Sequence, residues 1–507
     1  MPPERAAGAG AARGEELPEA ESTTAAALER AEALGCSHAQ VRVERIRTQS
    51  LALRDARLEG ASDDVELGVG VRVLVEGHLG FAASVELGAD AGAALAERAV
   101  RAARLCARAG GPAVELADEP AHGRVHWEAP VAIDPVEVPL DEKLGRLEEW
   151  SARLLRAPAV DHVTASLLVA AETKRYADLA GTVATQRRVR LHPSLEALAL
   201  GEAGFETMRT LAPPVGRGFE YLEGEGWDFD AELAALPELL AEKLRAPSVE
   251  PGRYDLVIDP TNLWLTIHES VGHATELDRA LGYEAAYAGT SFATLAGLGT
   301  LRYGSALMHV TGDRTTPYGL ATIGYDDEGV AAQSFDLVRD GVLVGFQLDR
   351  RVAAECGLGR SNGCAYASSP LMTPIQRMAN VSLLPAPGEG PTTEELISSV
   401  ERGIYVVGDK SWSIDMQRHN FQFTGQRFFA IERGRLAGQV RDVAYQSRTT
   451  EFWGALAGLG GTSTYLLAGA FNCGKGQPGQ VAPVSHGCPS ALFQGVNVLN
   501  TRAESGR

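Results

Sequence analysis

The chain has 507 residues, 45% of them apolar, enough for two or three domains with sizeable cores. Its 66 acidic against 47 basic side chains leave a net charge of −19, which argues against nucleic acid or an anionic membrane as the main partner. No run of about 18 apolar residues could span a membrane, no apolar leader is visible, and Cys36, Cys106, Cys356, Cys364, Cys473 and Cys488 form no Cys-x-x-Cys pair, so the sequence reads as a cytoplasmic protein with free thiols.

Residues 1–24 are rich in Ala, Gly, Pro and Glu and read as a disordered head. A short helix is expected over 25–34, with Gly35 as its stop. Period-two alternation then predicts strands over 39–46, 50–54 and 65–75, a turn over 76–80 and a further strand over 81–84. An Ala- and Arg-rich helix over 91–108 should cover one face of this antiparallel sheet, so residues 25–110 read as an N-terminal α+β domain.

Residues 111–249 read as a middle α+β segment. It is irregular to about 139, helical over 140–157, and then built from strands over 163–171, 174–178, 182–191 and 195–201. A helix over 230–246 carries Leu233, Leu236, Leu239, Leu240 and Leu244 on one face, with Pro237 as a kink or its true start. Residues 250–507 read as a β-rich catalytic domain. A buried strand over 254–260 runs into a helix, and Arg339-Asp340-Gly341 and Arg433-Gly434-Arg435 mark hairpins. The predicted fold class is α+β, with the chemistry in the last domain.

That chemistry centres on His268-Glu269-Ser270-Val271-Gly272-His273. Neutral imidazoles hold zinc, and a Glu beside the first His can take the proton of the attacking water. The histidines are five apart, about 140° around a regular helix at roughly 100° per residue. They reach one metal only if the helix carries an extra residue, as a π-type turn does; Gly272 would ease that distortion. Trp264, Leu265 and Ile267 put the motif against a packed wall, where a buried Glu needs a partner. A third ligand is required, and Cys473, His486 and Cys488 are the candidates. Phe471-Asn472-Cys473-Gly474-Lys475 has the stronger claim, with Lys475 expected to favour the thiolate. An inert buried cysteine is the bland alternative. Glu276 and Asp278 either orient the imidazoles or belong to a solvated helix face; His309 and His419 read as ordinary polar residues.

The motif, with Glu276 and Asp278 behind it, resembles the signature of the TldD/PmbA peptidases, once described as modulators of DNA gyrase. Gly68-Val69-Gly70-Val71-Arg72, residues 326–329, 377–380 and 403–405, and Cys473-Gly474-Lys475 fall in the family's order, so the resemblance spans residues 25–498. TldD-type chains keep the metal motif and PmbA (TldE)-type chains lack it; this chain is similar to the former. The resemblance implies one zinc per chain on His268, His273 and Cys473, with Glu269 as general base. It also implies cleavage of unfolded or leader-type peptides, with a PmbA-type partner subunit or as a homodimer. Ser485-His486-Gly487-Cys488 is not a recognised family feature and leaves an exchanged ligand open. A zinc hydrolase of small amides and a non-catalytic regulatory or binding subunit are the competing readings.

Overall fold

The computed structural model describes residues 17–202 and 204–504. Its first sheet takes seven strands: β1 (His38–Arg54), β2 (Arg57–Val75), β3 (His78–Ser84), β4 (Arg124–Glu128), β5 (His162–Asp178), β6 (Val183–Gly201) and β7 (Gly204–Arg209). Their order is β3-β2-β1-β5-β6-β4, with β7 on β6. All pairings are antiparallel except β4 with β6. Helices α1 (Ala20–Ala33) and α2 (Ala89–Arg108) pack on one end through Ala27, Ala31, Leu95, Ala99 and Ala103. The other end is covered by α3 (Leu140–Leu155) and α4 (Phe229–Arg245) through Leu147, Trp150, Leu233, Leu236 and Leu240.

Several boundaries differ from the sequence expectation, each for a physical reason. Helix α1 starts at Ala20, inside the expected disordered head. The Thr23 and Thr24 hydroxyls bond back to the carbonyls of Glu19 (2.7 Å) and Ala20 (2.8 Å), and both side chains are buried. Residues 1–16 of that head lie outside the described residues. The paired strand segments 163–171 and 174–178 are one strand, β5, because Glu172 and Lys174 are buried in ion pairs and do not mark a break. Segments 182–191 and 195–201 likewise fuse into β6. Pro193 pairs with Leu167 on β5, beyond the stretch where β4 adds to β6, so its missing N–H costs no ladder bond. Strand β4 falls in the stretch expected to be irregular. Helix α4 runs through Pro237 from an Asp228 cap, so the proline does not mark its start.

The second half holds a four-stranded sheet, a two-stranded ladder and a larger sheet. The first is built from β9 (Val310–Asp313), β10 (Ser334–Arg339), β11 (Val342–Leu343) and β14 (Asn380–Leu383); β12 (Ala365–Tyr366) pairs with β13 (Ile375–Gln376). The larger sheet contains β8 (Gly252–Ile258), β15 (Arg402–Ile414), β16 (Asn420–Glu432), β17 (Arg435–Val440), β18 (Val443–Arg448), β19 (Leu456–Leu459) and β22 (Ala491–Asn500). Within it, the order β15-β8-β22-β18-β16 closes because β15 also pairs with β16. A closed ring has no free edge along it. Both expected hairpin turns are present, with left-handed Asp340-Gly341 (φ 50°, 75°) and Arg433-Gly434 (φ 52°, 76°). Strands β20 (Leu466–Lys475) and β21 (Gln480–Cys488) form a separate hairpin. No helix among the described residues is long and apolar enough to cross a membrane.

The two halves meet through buried charge. The turn Asp326-Asp327-Glu328-Gly329 carries three carboxylates, each 1% exposed. Lys174 Nζ lies 2.6 Å from Asp327 Oδ1 and 3.2 Å from a Glu172 oxygen; Arg72 pairs with Glu328, and the Gln40 amide donates to the Asp327 carbonyl (2.7 Å). Buried carboxylates persist only with such partners.

Candidate metal centre

Strand β8 leads directly into α5 (Pro260–Ile267), which every residue buries. Asp259 caps it by accepting from Thr261 N (3.0 Å), and Pro260 occupies the first turn, where its missing N–H is harmless. The helix then widens into one π turn over His268–Gly272 and tightens into a 3₁₀ turn over His273–Thr275. Side chains take over the displaced backbone carbonyls. Tyr303 Oη donates to Ser270 O (2.5 Å), Gln347 Nε2 to Gly272 O (2.7 Å) and Thr275 Oγ1 to Val271 O (2.8 Å). Gly272 is needed for space and not for backbone freedom. Its φ is −53°, and a Cβ there would meet Met378 Sδ at 2.6 Å.

The inserted residue puts the rings of His268 and His273 on one side, with centroids 4.6 Å apart. Cys473 approaches from β20, where a register shift between Ala470 and Cys473 bends the strand. Its Sγ lies 3.5 Å from His273 Nε2. One ligand atom each from His268, His273 and Cys473 falls within 4.8 Å of the others, and all three residues are buried.

Hydrogen bonds fix which nitrogen each ring offers. His486 Nδ1 must donate to the Val381 carbonyl (2.8 Å), so its Nε2 accepts from His268 Nδ1 (2.7 Å). That leaves the Nε2 lone pair of His268 free. His273 Nδ1 donates to Glu276 Oε2 (2.7 Å), which frees its Nε2 in the same way. Burial lowers the pKa of both rings and of His486, so all three favour the neutral form that ligates metal. Burial pushes the Cys473 thiol up, but the Arg377 guanidinium acts against it, and the thiol lies below its ordinary value. Two imidazole nitrogens and a thiol poised to ionise are a donor set that suits zinc.

Other sequence expectations come out differently. Lys475 spends its ammonium on partners other than the thiol. Two residues on along β20, it faces the same interior, and its Nζ meets Asp278 Oδ1 (2.7 Å), Gln376 Oε1 (2.7 Å) and Glu276 Oε1 (3.1 Å). It thus anchors the carboxylate that orients His273. Asp278 accepts from Lys475 and from Arg279 N and does not orient an imidazole; neither it nor Glu276 lies on a solvated face. His486 stands behind His268, and Cys488 Sγ points to the Pro260 carbonyl (3.7 Å). His309 pairs with Asp336, and His419 stacks on Phe292.

Glu269 faces the same cavity of about 450 Å³ as the two rings and Cys473. Its carboxylate is held by Arg418 Nη1 at 2.5 Å, a partner that no motif announces. Seven consecutive residues of β20, from Ala468 to Gly474, line this cavity. Alternate residues would line it if a face of the strand were presented; an unbroken run means that its edge lies along the opening. Strand β6 and the loop after β7 also line the cavity, with His192, Ser194 and residues 210–214.

The model of the PmbA/TldA metallopeptidase C-terminal domain matches residues 251–500, and that of PmbA/TldA metallopeptidase domain 1 matches residues 39–103. The chain belongs to the TldD/PmbA family of metallopeptidases. A metalloprotease of Methanothermobacter thermautotrophicus is 28% identical over 467 residues, covering 92% of this chain and 96% of the relative. A zinc metalloprotease TldD homolog of Saccharolobus solfataricus is 23% identical over 290 residues, 57% of this chain and 60% of that one. The crystal structure of TldE from Thermococcus kodakarensis superposes with a TM-score of 0.69 at 15% identity, covering 94% of this chain and 99% of that one, and so shares the fold.

Proposed function

We propose that the chain is a zinc peptidase for unfolded or leader-type peptides, with His268, His273 and Cys473 holding one zinc and Glu269 acting as general base. The convergence of two free Nε2 atoms and one Sγ beside that carboxylate carries the reading. Zinc bound there supplies Lewis acidity, which polarises a carbonyl and makes water nucleophilic near neutral pH. Glu269 accepts the proton of the attacking water and delivers it to the leaving amine as the C–N bond breaks. His486 and Glu276 keep the two rings in the ligating tautomer throughout. A peptide would lie extended along the β20 edge and pair through its backbone. A folded protein offers no such strand. The zinc metalloprotease name of one relative and the fold shared with TldE favour zinc and a TldD/TldE-type pairing, with a homodimer as the alternative.

The test is a digest of an unstructured peptide read by mass spectrometry, with the chain alone and with a PmbA-type partner. Cleavage should stop with a chelator and return with zinc. N-methylation of the peptide backbone around the cut should abolish it, and a folded protein should survive. Equal cleavage of methylated and unmethylated peptides would overturn strand pairing, and cleavage that persists in chelator would overturn the metal.

A further inference from the structure

We propose that Arg418 is a second electrophile of the site: its guanidinium takes the oxygen of the scissile carbonyl as negative charge collects there. The inference rests on the peptidase reading above. Arg418 enters the cavity of the three candidate ligands, its side chain is 11% exposed, and that of Glu269 is 7% exposed. A guanidinium has five N–H donors. One, on Nη1, meets Glu269 Oε2 at 2.5 Å; no other side-chain hydrogen bond joins Arg418 to a described residue, and Nε is buried without a partner.

The chain is built to hold this cation in place. Arg418 sits in the turn between β15 and β16 with φ 61°, a conformation that residues with a Cβ rarely adopt. The Asp415 carboxylate fixes the turn by accepting from Gln417 N (3.0 Å), His419 N (2.9 Å) and Asn420 N (2.9 Å). Thr449 Oγ1 donates to the Arg418 carbonyl (2.6 Å). So many bonds on one tight turn make sense if its product is the position of one side chain.

Pairing satisfies the buried Glu269 carboxylate at rest but gives the remaining N–H donors of Arg418 no purpose. Charge accounting through the reaction supplies one. As water attacks, its O–H bond breaks and the proton goes to Glu269. A C–O bond forms, and the π electrons of the carbonyl move onto its oxygen. Glu269 is then neutral, and the guanidinium loses its anion as a new one appears beside it. Arg418 can donate to that oxygen with no change in its own charge. When the C–N bond breaks, the proton passes from Glu269 to the amine, the carbonyl re-forms, and Arg418 returns to the carboxylate. An interaction present only in the charged intermediate raises turnover and leaves substrate binding alone.

Arg418→Gln and Arg418→Lys, in the full chain with its partner where one is needed, test this. Zinc content, KM, kcat and the affinity of a phosphinic peptide, whose tetrahedral anion mimics the intermediate, are measured for each. Arg418→Gln should keep zinc and KM while kcat falls ~10²–10³-fold. Phosphinate affinity should fall by a similar factor, with Arg418→Lys recovering part of both. A kcat loss with wild-type phosphinate affinity would reduce Arg418 to a holder of Glu269 and overturn the proposal, as would unchanged kcat. If Arg418→Gln fails to fold, Arg418→Lys decides by the same comparison of kcat with phosphinate affinity. A wild-type protein that binds no zinc or cuts no peptide would sink the underlying reading, a result separable from these.

Discussion

Glu269→Ala is expected to bind zinc at the wild-type stoichiometry and to cleave an unstructured peptide ~10²–10⁴-fold more slowly. The carboxylate stands next to His268 in sequence but reaches Arg418, outside the cluster of His268, His273 and Cys473. Removing it leaves both Nε2 atoms and the Sγ where they are. It also strands a largely buried guanidinium, at a cost of about 3–5 kcal/mol if nothing relaxes. Glu269→Gln is therefore the cleaner companion. It keeps an amide oxygen as an acceptor for Arg418 while removing the basicity and the charge of the carboxylate. Metal analysis, thermal melts and peptide turnover on both variants separate the effects: both should keep zinc and be slowed by that factor, and the alanine variant should melt earlier than the glutamine variant. Wild-type turnover in either would remove Glu269 from the mechanism.

Cys473→Ala should lose most of its zinc. Replacement by a neighbour is blocked by bonds already made. His486 uses Nδ1 on the Val381 carbonyl and Nε2 on His268, and Cys488 is turned to the Pro260 carbonyl. Burial keeps the Cys488 thiol well above its ordinary value, so it is a poor source of thiolate. The measurement is zinc per chain after dialysis against a weak chelator. Full occupancy in the variant would move the third-ligand role to another residue.

The central features of the site could be read in the residues because they are local or nearly so. A five-residue spacing of histidines demands an extra residue in the turn, and Gly272 marks where the backbone must pass Met378 closely. Alternation of apolar residues located parts of β1, β2 and β5, while in β5 the buried ion pairs of Glu172 and Lys174 hid the continuity of the strand; a charge in a strand looks like a boundary until its partner is found. Glu276 stands as a charge just after the His-Glu motif and Lys475 as one just after Cys473, but their pairing across 199 residues is not legible in the sequence. Arg418 illustrates the limit most clearly. It lies 149 residues from Glu269, on a turn whose only sequence signal is Asp415 placed to accept from the residues after it. Tertiary packing, not a pattern along the chain, brings that cation to the carboxylate.

The claim on which the rest depends is that two imidazoles and one thiolate surround a single ion. X-ray absorption at the zinc edge of the purified full chain tests it most directly. The account predicts one sulfur and two imidazole nitrogens around zinc, with the sulfur signal absent from whatever zinc Cys473→Ala retains. A coordination shell of nitrogen and oxygen alone in the wild type would contradict it.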